Sequence, residues 1–324
     1  IFAPIKFSDN NEKIQWYDEP TTQKIVDLFK SNEGIVCLFS LGAVIRLLAP
    51  HIKDKKTDPA VIVIDDNANF VISVLSGHLG GANELSNEIA EKIGSTPVIT
   101  TAADVNKTIA VDLVGKEFGW KIDDDSNVTR ISAFMVNREK VGIFQNKGKK
   151  EWWKGKFPEN ITFFSNIEDL KASESKGYLI ITNDQIDDES VLKNSVVYRV
   201  PDLVVGIGLH WDTSKETILN GVNETLKKFE LKQKQIARFV SIKKEKDVIG
   251  LIELGREMNI PIEYIDREEL ATITAPNPSE TVQAFEGTAS VSEAAAIKSS
   301  KGELIVEKQK FPPNLTVAIA RIIQ

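Results

Sequence analysis

The stretch of this sequence best suited to chemistry is Ser76-Gly77-His78-Leu79-Gly80-Gly81-Ala82-Asn83. It follows an apolar run, Phe70 to Leu75, and precedes a helical pattern through Ile89, Ala90 and Ile93 that Gly94 closes. Adjacent glycines at a helix start let backbone N–H groups converge, which makes a seat for an anion or an oxyanion. The same position, outside the carboxyl end of a strand, is where open α/β sheets bind ligands. Glycine also occurs there simply because a tight turn needs positive φ, so the local pattern divides evenly between structure and function. His78 tilts it towards function, because a histidine in a Gly-rich loop lacks the apolar surroundings of a core position. Its ordinary pKa of about 6.5 leaves acid and base forms both accessible near neutral pH.

Other residues are candidates to support this loop. Asn83 closes the octapeptide and is counted with His78 as catalytic. Asp104 follows the extended Pro97-Val98-Ile99-Thr100-Thr101 and could orient His78 or a water; capping the next helix is its equal alternative. Gly42, Gly77, Gly80, Gly81, Thr100 and Thr101 are expected to touch substrate, the glycines near positions 80 and 81 through their N–H groups. Arg46 lies one helical turn after the Ser40-Leu41-Gly42 turn, and its guanidinium could grip a carboxylate in bidentate fashion. Lys53 and Lys56 come next, although solvated surface is the commoner use of such lysines. Glu293 joins the substrate-binding candidates, with completion of a capping box opened by Ser290 as its simpler role.

Several chemistries lack support. Three histidines, no paired cysteine and no His-x-x-x-His spacing give no reason to expect a metal held by the protein. Cys37 sits among Val36, Leu38 and Phe39, where a thiol behaves as a small inert hydrophobe. Neither Gly-x-Gly-x-x-Gly nor Gly-Lys-Ser/Thr is present. Trp152 and Trp153, beside Lys150 and Lys154, could stack on a flat ligand, with packing the more common use of tryptophan. A net charge of −7 argues against nucleic acid as a partner, since phosphate neutralisation needs a segregated basic face and only short lysine clusters occur.

These residues must be held by packed elements. A length of 324 residues exceeds the roughly 250 to 300 at which one core stops growing, so several domains are expected. Hydrophobic residues at 42% and charged residues at 27% fit a folded chain. No apolar run reaches the roughly 18 residues of a membrane span, no secretory leader is apparent at Ile1-Phe2-Ala3-Pro4, and a lone cysteine fits a reducing compartment, so the cytoplasm is expected. Strands and helices alternate through residues 34–105: a strand before Ser40, a hairpin of Ala60–Asp65 with Phe70–Leu75, and the helix after the glycines. Signals weaken between Gly115 and Pro201, with Ile161–Phe164 and Tyr178–Thr182 as strand candidates. They sharpen again at a strand, Leu203–Leu209, and a helix after Thr213 whose capping box Glu216 would complete. The expected fold is multidomain α/β: an N-terminal parallel or mixed sheet domain over 1–114, a small middle α+β domain over 115–201, and a C-terminal α/β domain over 202–324.

Four blocks resemble the cobalamin biosynthesis protein G family, CbiG. They are Gly42-Ala43-Val44-Ile45-Arg46 with Ala49-Pro50, Lys56-Thr57-Asp58-Pro59-Ala60-Val61, the Ser76–Asn83 octapeptide, and Pro97-Val98-Ile99-Thr100-Thr101-Ala102-Ala103-Asp104. Residues 203–321 resemble the family's C-terminal module, which also occurs alone as CobE, through Gly206-Ile207-Gly208, Pro276-Asn277-Pro278-Ser279, Ser290-Val291-Ser292-Glu293-Ala294-Ala295-Ala296 and Thr316-Val317-Ala318-Ile319-Ala320-Arg321. One departure is plain: the family follows Gly-Ile-Gly with cysteine and arginines, whereas this chain has Leu209-His210-Trp211. The resemblance implies hydrolysis of cobalt-precorrin-5A, in which the δ-lactone opens and acetaldehyde leaves. The cobalt would arrive with the substrate, with no added cofactor. Partners would be the small corrinoid and no membrane, with a homodimer or transient contact with pathway enzymes left open. His78 could act as base and then acid, or ligate the substrate's cobalt. Two other readings are a non-catalytic corrinoid carrier and an α/β protein that binds a phosphorylated metabolite at the His78 loop.

Overall fold

The computed structural model describes residues 1–323. Their contacts divide the chain into two compact units: Ile1–Val114 with Val128–Val141 and Gly155–Ile161, and Gly115–Asn127 with Gly142–Lys154 and everything from Thr162 onward.

The first unit is built on a four-stranded sheet, ordered Gly34–Cys37, Ala60–Ile64, Phe70–Leu75, Thr96–Val98. The outer pairs are parallel and the central pair antiparallel, so the expected hairpin forms and the sheet is mixed. All five residues of Ala60–Ile64 are buried because both faces of the strand are covered. Successive side chains alternate between faces. Val61 and Val63 join Ile25, Phe29, Val44 and Leu48, while Ala60, Ile62 and Ile64 join Val71, Ala82 and Ala90. The helix Ala82–Ile93 ends at Gly94 in the left-handed conformation, as the sequence suggested. The helix Val128–Val136 packs with Ala102–Val105 and the turn Val111–Leu113 in this unit.

The second unit holds two five-stranded sheets. One runs Lys121–Ile122, Ser195–Arg199, Gly177–Ile181, Val141–Gln145, Ile161–Phe164. Trp152 is buried, its indole N–H donating to Gln145 Oε1 at 2.9 Å, so it packs and is closed to a ligand. The other sheet runs Ile262–Ile265, Ile236–Ile242, Leu203–Leu209, Leu315–Arg321, Leu304–Phe311. Its first three strands are parallel and its last three antiparallel, with Leu203–Leu209 belonging to both sets. Leu203, Val205, Ile207 and Leu209 face Ile218, Val222, Leu226, Leu251 and Leu254. On the opposite face Val204 meets Val291, Ala294 and Ala295. The helix expected after Thr213 spans Lys215–Lys228, and its cap is Ser214, which accepts from the Thr217 N–H at 3.2 Å. Thr213 instead turns its hydroxyl to the His210 carbonyl, so the Thr213/Glu216 box does not form.

Candidate functional site

The octapeptide folds into a tight loop between the strand Phe70–Leu75 and the helix Ala82–Ile93. Ser76 takes a positive φ of 55°, which an L side chain rarely adopts, and its hydroxyl donates to the Asp58 carbonyl at 2.7 Å. Asp58 is itself buried, its Oδ2 accepting from the N–H groups of Lys53 and Asp54. A Cβ at Gly80 would overlap Ser76, and one at Gly77 would come within 2.6 Å of Asn83 Oδ1. These two glycines are therefore set by close packing within the loop.

His78 stands between two carboxylates. Its Nδ1 lies 3.2 and 3.3 Å from the oxygens of Asp112, and its Nε2 lies 3.0 Å from Asp104 Oδ2. The imidazole is 15% exposed, Asp112 18% and Asp104 44%, so the cluster opens to solvent on the Asp104 side. The hydrogen bond that His78 donates to Asp112 raises the His78 pKa above its ordinary value; burial opposes this and Asp104 adds to it. Burial pushes the Asp112 carboxyl up, but the His78 hydrogen bond and charge, with help from Lys55, leave it below the usual range. With both ring nitrogens against carboxylates, the imidazolium is the favoured form.

Asn83 fixes the open side. It is buried, accepts from the Ser73 hydroxyl at 2.7 Å, and donates to Thr101 Oγ1 and Asp104 Oδ2, each at 2.9 Å. Asp104 Oδ2 thus receives both His78 and Asn83. Asp104 sits in the first turn of the short helix Ala102–Val105, after the capping position that Thr101 holds, so its role is to engage His78 and not to cap.

Of the residues singled out in the sequence, His78, Asn83, Asp104, Thr101 and Gly77 come together. Others do not. The Gly81 N–H donates to the His78 carbonyl at 3.1 Å, and the next two N–H groups are taken by Ser76 and Gly77 carbonyls, so the expected oxyanion seat at Gly81 is filled by the loop itself. The shallow hollow beside Gly80 and Gly81 is lined by Glu33, Glu84 and Glu88, which repel carboxylates. Thr100 is exposed and, among the described residues, makes no hydrogen bond to the cluster. Gly42 lies inside the helix Leu41–Leu48, and exposed Arg46 donates back to its carbonyl at 3.0 Å. Among the described residues no hydrogen bond or ion pair joins Arg46 to His78. Glu293 belongs to the second unit, fully buried, and makes no capping box. Its carboxylate accepts from the Asn277 N–H and amide and from the Lys308 N–H, at 2.8 to 3.1 Å, which makes it a tie between loop and strand. Cys37 is buried, its thiol pushed up to about 11, and inert as expected. Among the described residues no group of three His, Cys, Asp or Glu is arranged to hold a metal ion.

Asp112 was not legible as a site residue. It lies 34 residues beyond His78, in a single 3-10 turn. Replacing it with Asn removes the main influence that raises the His78 pKa. The imidazole should then titrate at lower pH than in the wild type, as followed by NMR of its Cε1 proton. An unchanged titration would take Asp112 out of this role.

A mixed α/β chain of several sheets, with a histidine–carboxylate cluster at the end of its first sheet, is thus the class that fold and site define. Three family profiles match it in order: Cobalamin synthesis G N-terminal over residues 23–104, Cobalamin biosynthesis central region over 109–199, and Cobalamin synthesis G C-terminus over 203–320. A cobalt-precorrin-5A hydrolase of Priestia megaterium is 39% identical over 321 residues, covering 98% of this chain and 86% of that protein. One of Salmonella typhimurium is 31% identical over 287 residues, covering 86% and 79%. Among solved structures, a cobalamin biosynthesis protein G homologue from Sulfolobus solfataricus is 24% identical over 96% of this chain and 88% of that one, with a TM-score of 0.37. The chain belongs to the cobalamin synthesis G family.

Proposed function

We propose that this chain is a cobalt-precorrin-5A hydrolase of cobalamin biosynthesis, opening the δ-lactone with water and releasing acetaldehyde. Two relatives that match most of its length carry that name. The observation that carries the chemistry is His78 held as an acid between a half-buried and an exposed carboxylate.

Lactone hydrolysis needs a proton acceptor for the attacking water, a positive charge beside the tetrahedral oxyanion, and a proton for the departing alkoxide. Asp104 Oδ2 is held by Asn83 and His78, so the other oxygen of this exposed carboxylate takes the water proton. The His78 imidazolium, aligned by Asp112, stabilises the oxyanion and gives its Nε2 proton to the alkoxide. Neutral His78 then takes the hydroxyl proton as the carbon–carbon bond breaks, with the macrocycle receiving the electron pair and acetaldehyde departing. His78 therefore acts first as acid and then as base, the reverse of the order suggested by an unpaired histidine. The cobalt enters as part of the substrate, and the reading requires no resident cofactor. The reducing cytoplasm fits a chain whose lone thiol is buried. Among the described residues no helix is long and apolar enough to cross a membrane.

Incubation of the purified protein with the cobalt-containing lactone tests this reading. Acetaldehyde should appear in proportion to lactone consumed, without added metal or nucleotide, as read by a coupled aldehyde reductase assay. Binding of the corrinoid with no acetaldehyde above a heat-killed control would leave a carrier and sink the hydrolase.

A further inference from the structure

The C-terminal sheet carries a cleft that the hydrolytic site does not use. Three parallel strands end at it: Leu203–Leu209 runs into His210 and Trp211, Ile236–Ile242 into Lys243 to Lys246, and Ile262–Ile265 into Asp266 and Arg267. The helix Glu280–Glu286 closes the remaining side with Val282, Phe285 and Glu286. The carboxyl edge of parallel strands is where open α/β sheets bind ligands, and the volume of about 680 Å³ suits a small-molecule site.

The lining has a specific character. Trp211 is 59% exposed and Phe285 78%, so two large rings line one hollow largely open to solvent. Lys244 is tied to Glu286 Oε1 at 2.6 Å, and Arg267 lies 3.6 Å from Glu286 Oε2. Lys246 is exposed and has no ion-pair partner among the described residues. Among the described residues Glu245 and Glu286 are the acids that line it, against Lys244, Lys246 and Arg267, so the cleft carries positive charge in a chain whose net charge is −7. His210 Nδ1 is 2.6 Å from Asp212 Oδ1, which also accepts from Asn314 at 3.3 Å. A carboxylate on one ring nitrogen fixes the proton there and aims the lone pair of the other outward, the arrangement that metal-ligating histidines use. The His210 and Trp211 rings stand 5.5 Å apart and tilted by 43°, so imidazole and indole form adjoining walls.

We propose that this cleft binds the cobalt corrinoid itself: Trp211 and Phe285 pack on the macrocycle, Lys246 and Arg267 receive its peripheral carboxylates, and His210 Nε2 meets the cobalt. A flat, polyanionic macrocycle with an open axial metal position is the ligand that asks for aromatic, cationic and imidazole groups together. The inference rests on the corrinoid reading above and assigns it a site in the second unit. It also gives a use to Leu209-His210-Trp211, where the resembling family has cysteine and arginines.

The test uses the full chain with cobyrinic acid, a cobalt corrin bearing free carboxylates, and with its metal-free counterpart. Affinity is read by absorption titration, and axial ligation by the nitrogen splitting in the EPR spectrum of the cobalt(II) form. Trp211→Ala should weaken both corrins about tenfold, which is about 1.4 kcal/mol. His210→Gln should weaken only the cobalt form, by a similar factor, and abolish the nitrogen splitting, while His78→Ala keeps it. Trp211 and His210 are exposed, so unchanged thermal melting verifies that their variants are folded, while a cooperative melt does so for His78→Ala, whose ring is mostly buried. Wild-type affinity in both Trp211→Ala and His210→Gln, or a splitting lost in His78→Ala and kept in His210→Gln, overturns the cleft. If acetaldehyde is still released in that case, the hydrolase reading stands alone; a wild type that neither binds corrin nor releases acetaldehyde removes both.

Discussion

His78→Ala should lower acetaldehyde release by about 10² to 10⁴-fold, the range that loss of a general acid–base group produces. The loss follows from the proposed chemistry, in which one imidazole supplies the charge beside the oxyanion, the proton for the alkoxide and then the base for carbon–carbon cleavage. A loop side chain with little apolar area would be dispensable for folding, but this one separates Asp104 from Asp112. Its removal leaves the half-buried Asp112 without its cation, so the variant should also melt lower, and by an amount that depends on pH. The His78 pKa is raised in the folded protein, so its contribution is fully present below the ordinary value of about 6.5 and disappears as pH rises through the raised one. The Asp112 pKa is lowered, so the same contact is lost at the acid end as pH falls through the lowered carboxylate value. The melting gap between wild type and variant should therefore be widest between those two limits and close on the alkaline side. Thermal melting across a pH series, with acetaldehyde measured in parallel, checks both parts. Turnover within a factor of two of wild type would end the role of His78 in the reaction, and a gap independent of pH would end its description as an imidazolium.

The parts of this site that were legible in the sequence are those carried by local pattern. Ser76 to Asn83 announced a turn between strand and helix, and the histidine inside it had no core-like apolar run to explain it. Asp104 could be suspected because it follows an extended segment of the same sheet. Asp112 could not, because a carboxylate in an isolated turn looks like solvated surface until the chain folds it against the ring. The glycines misled in a physical way: an N–H at a helix start is free for a ligand only if the loop leaves it free, and here Ser76, Gly77 and His78 carbonyls claim those donors first. Three of the resembling blocks prove to be one construction, since the Asp58 carbonyl holds Ser76, the loop positions His78 and Asn83, and Thr101 and Asp104 receive them. Arg46 was favoured for its chemistry, but sequence carries no signal that an exposed side chain will turn back to the carbonyl four residues before it. Glu293 failed in the other direction. A Ser-x-x-Glu spacing reads as a capping box, but tertiary donors from Asn277 and Lys308 outcompete the local one.

Gly206→Ala should destabilise the protein by about 3 kcal/mol or more, the upper end of the cost of overpacking a core. In the strand Leu203–Leu209 a Cβ at this position would overlap the Ser292 carbonyl oxygen and come within 3.0 Å of Ala296 Cβ. The obstacle is backbone, so no flexible side chain can move aside, and the helix Val291–Ser300 would have to lift off the sheet. That helix is buried on most of its surface, with Ala294, Ala295 and Ala296 wholly inaccessible. The Gly-Ile-Gly and Ser-Val-Ser-Glu-Ala-Ala-Ala blocks are therefore two sides of one contact, in which small residues let a helix approach a strand closely. Gly119→Ala is the contrasting control, because its φ of 71° is unfavourable to a side chain, which the strand conformation of Gly206 is not, while nothing lies within 4 Å of the added methyl. Strain alone should cost it about 1 kcal/mol. Urea unfolding of both variants, followed by circular dichroism, separates the two effects. A Gly206→Ala midpoint no lower than that of Gly119→Ala would mean that helix and strand can part at little cost, and that the glycine is not there for packing.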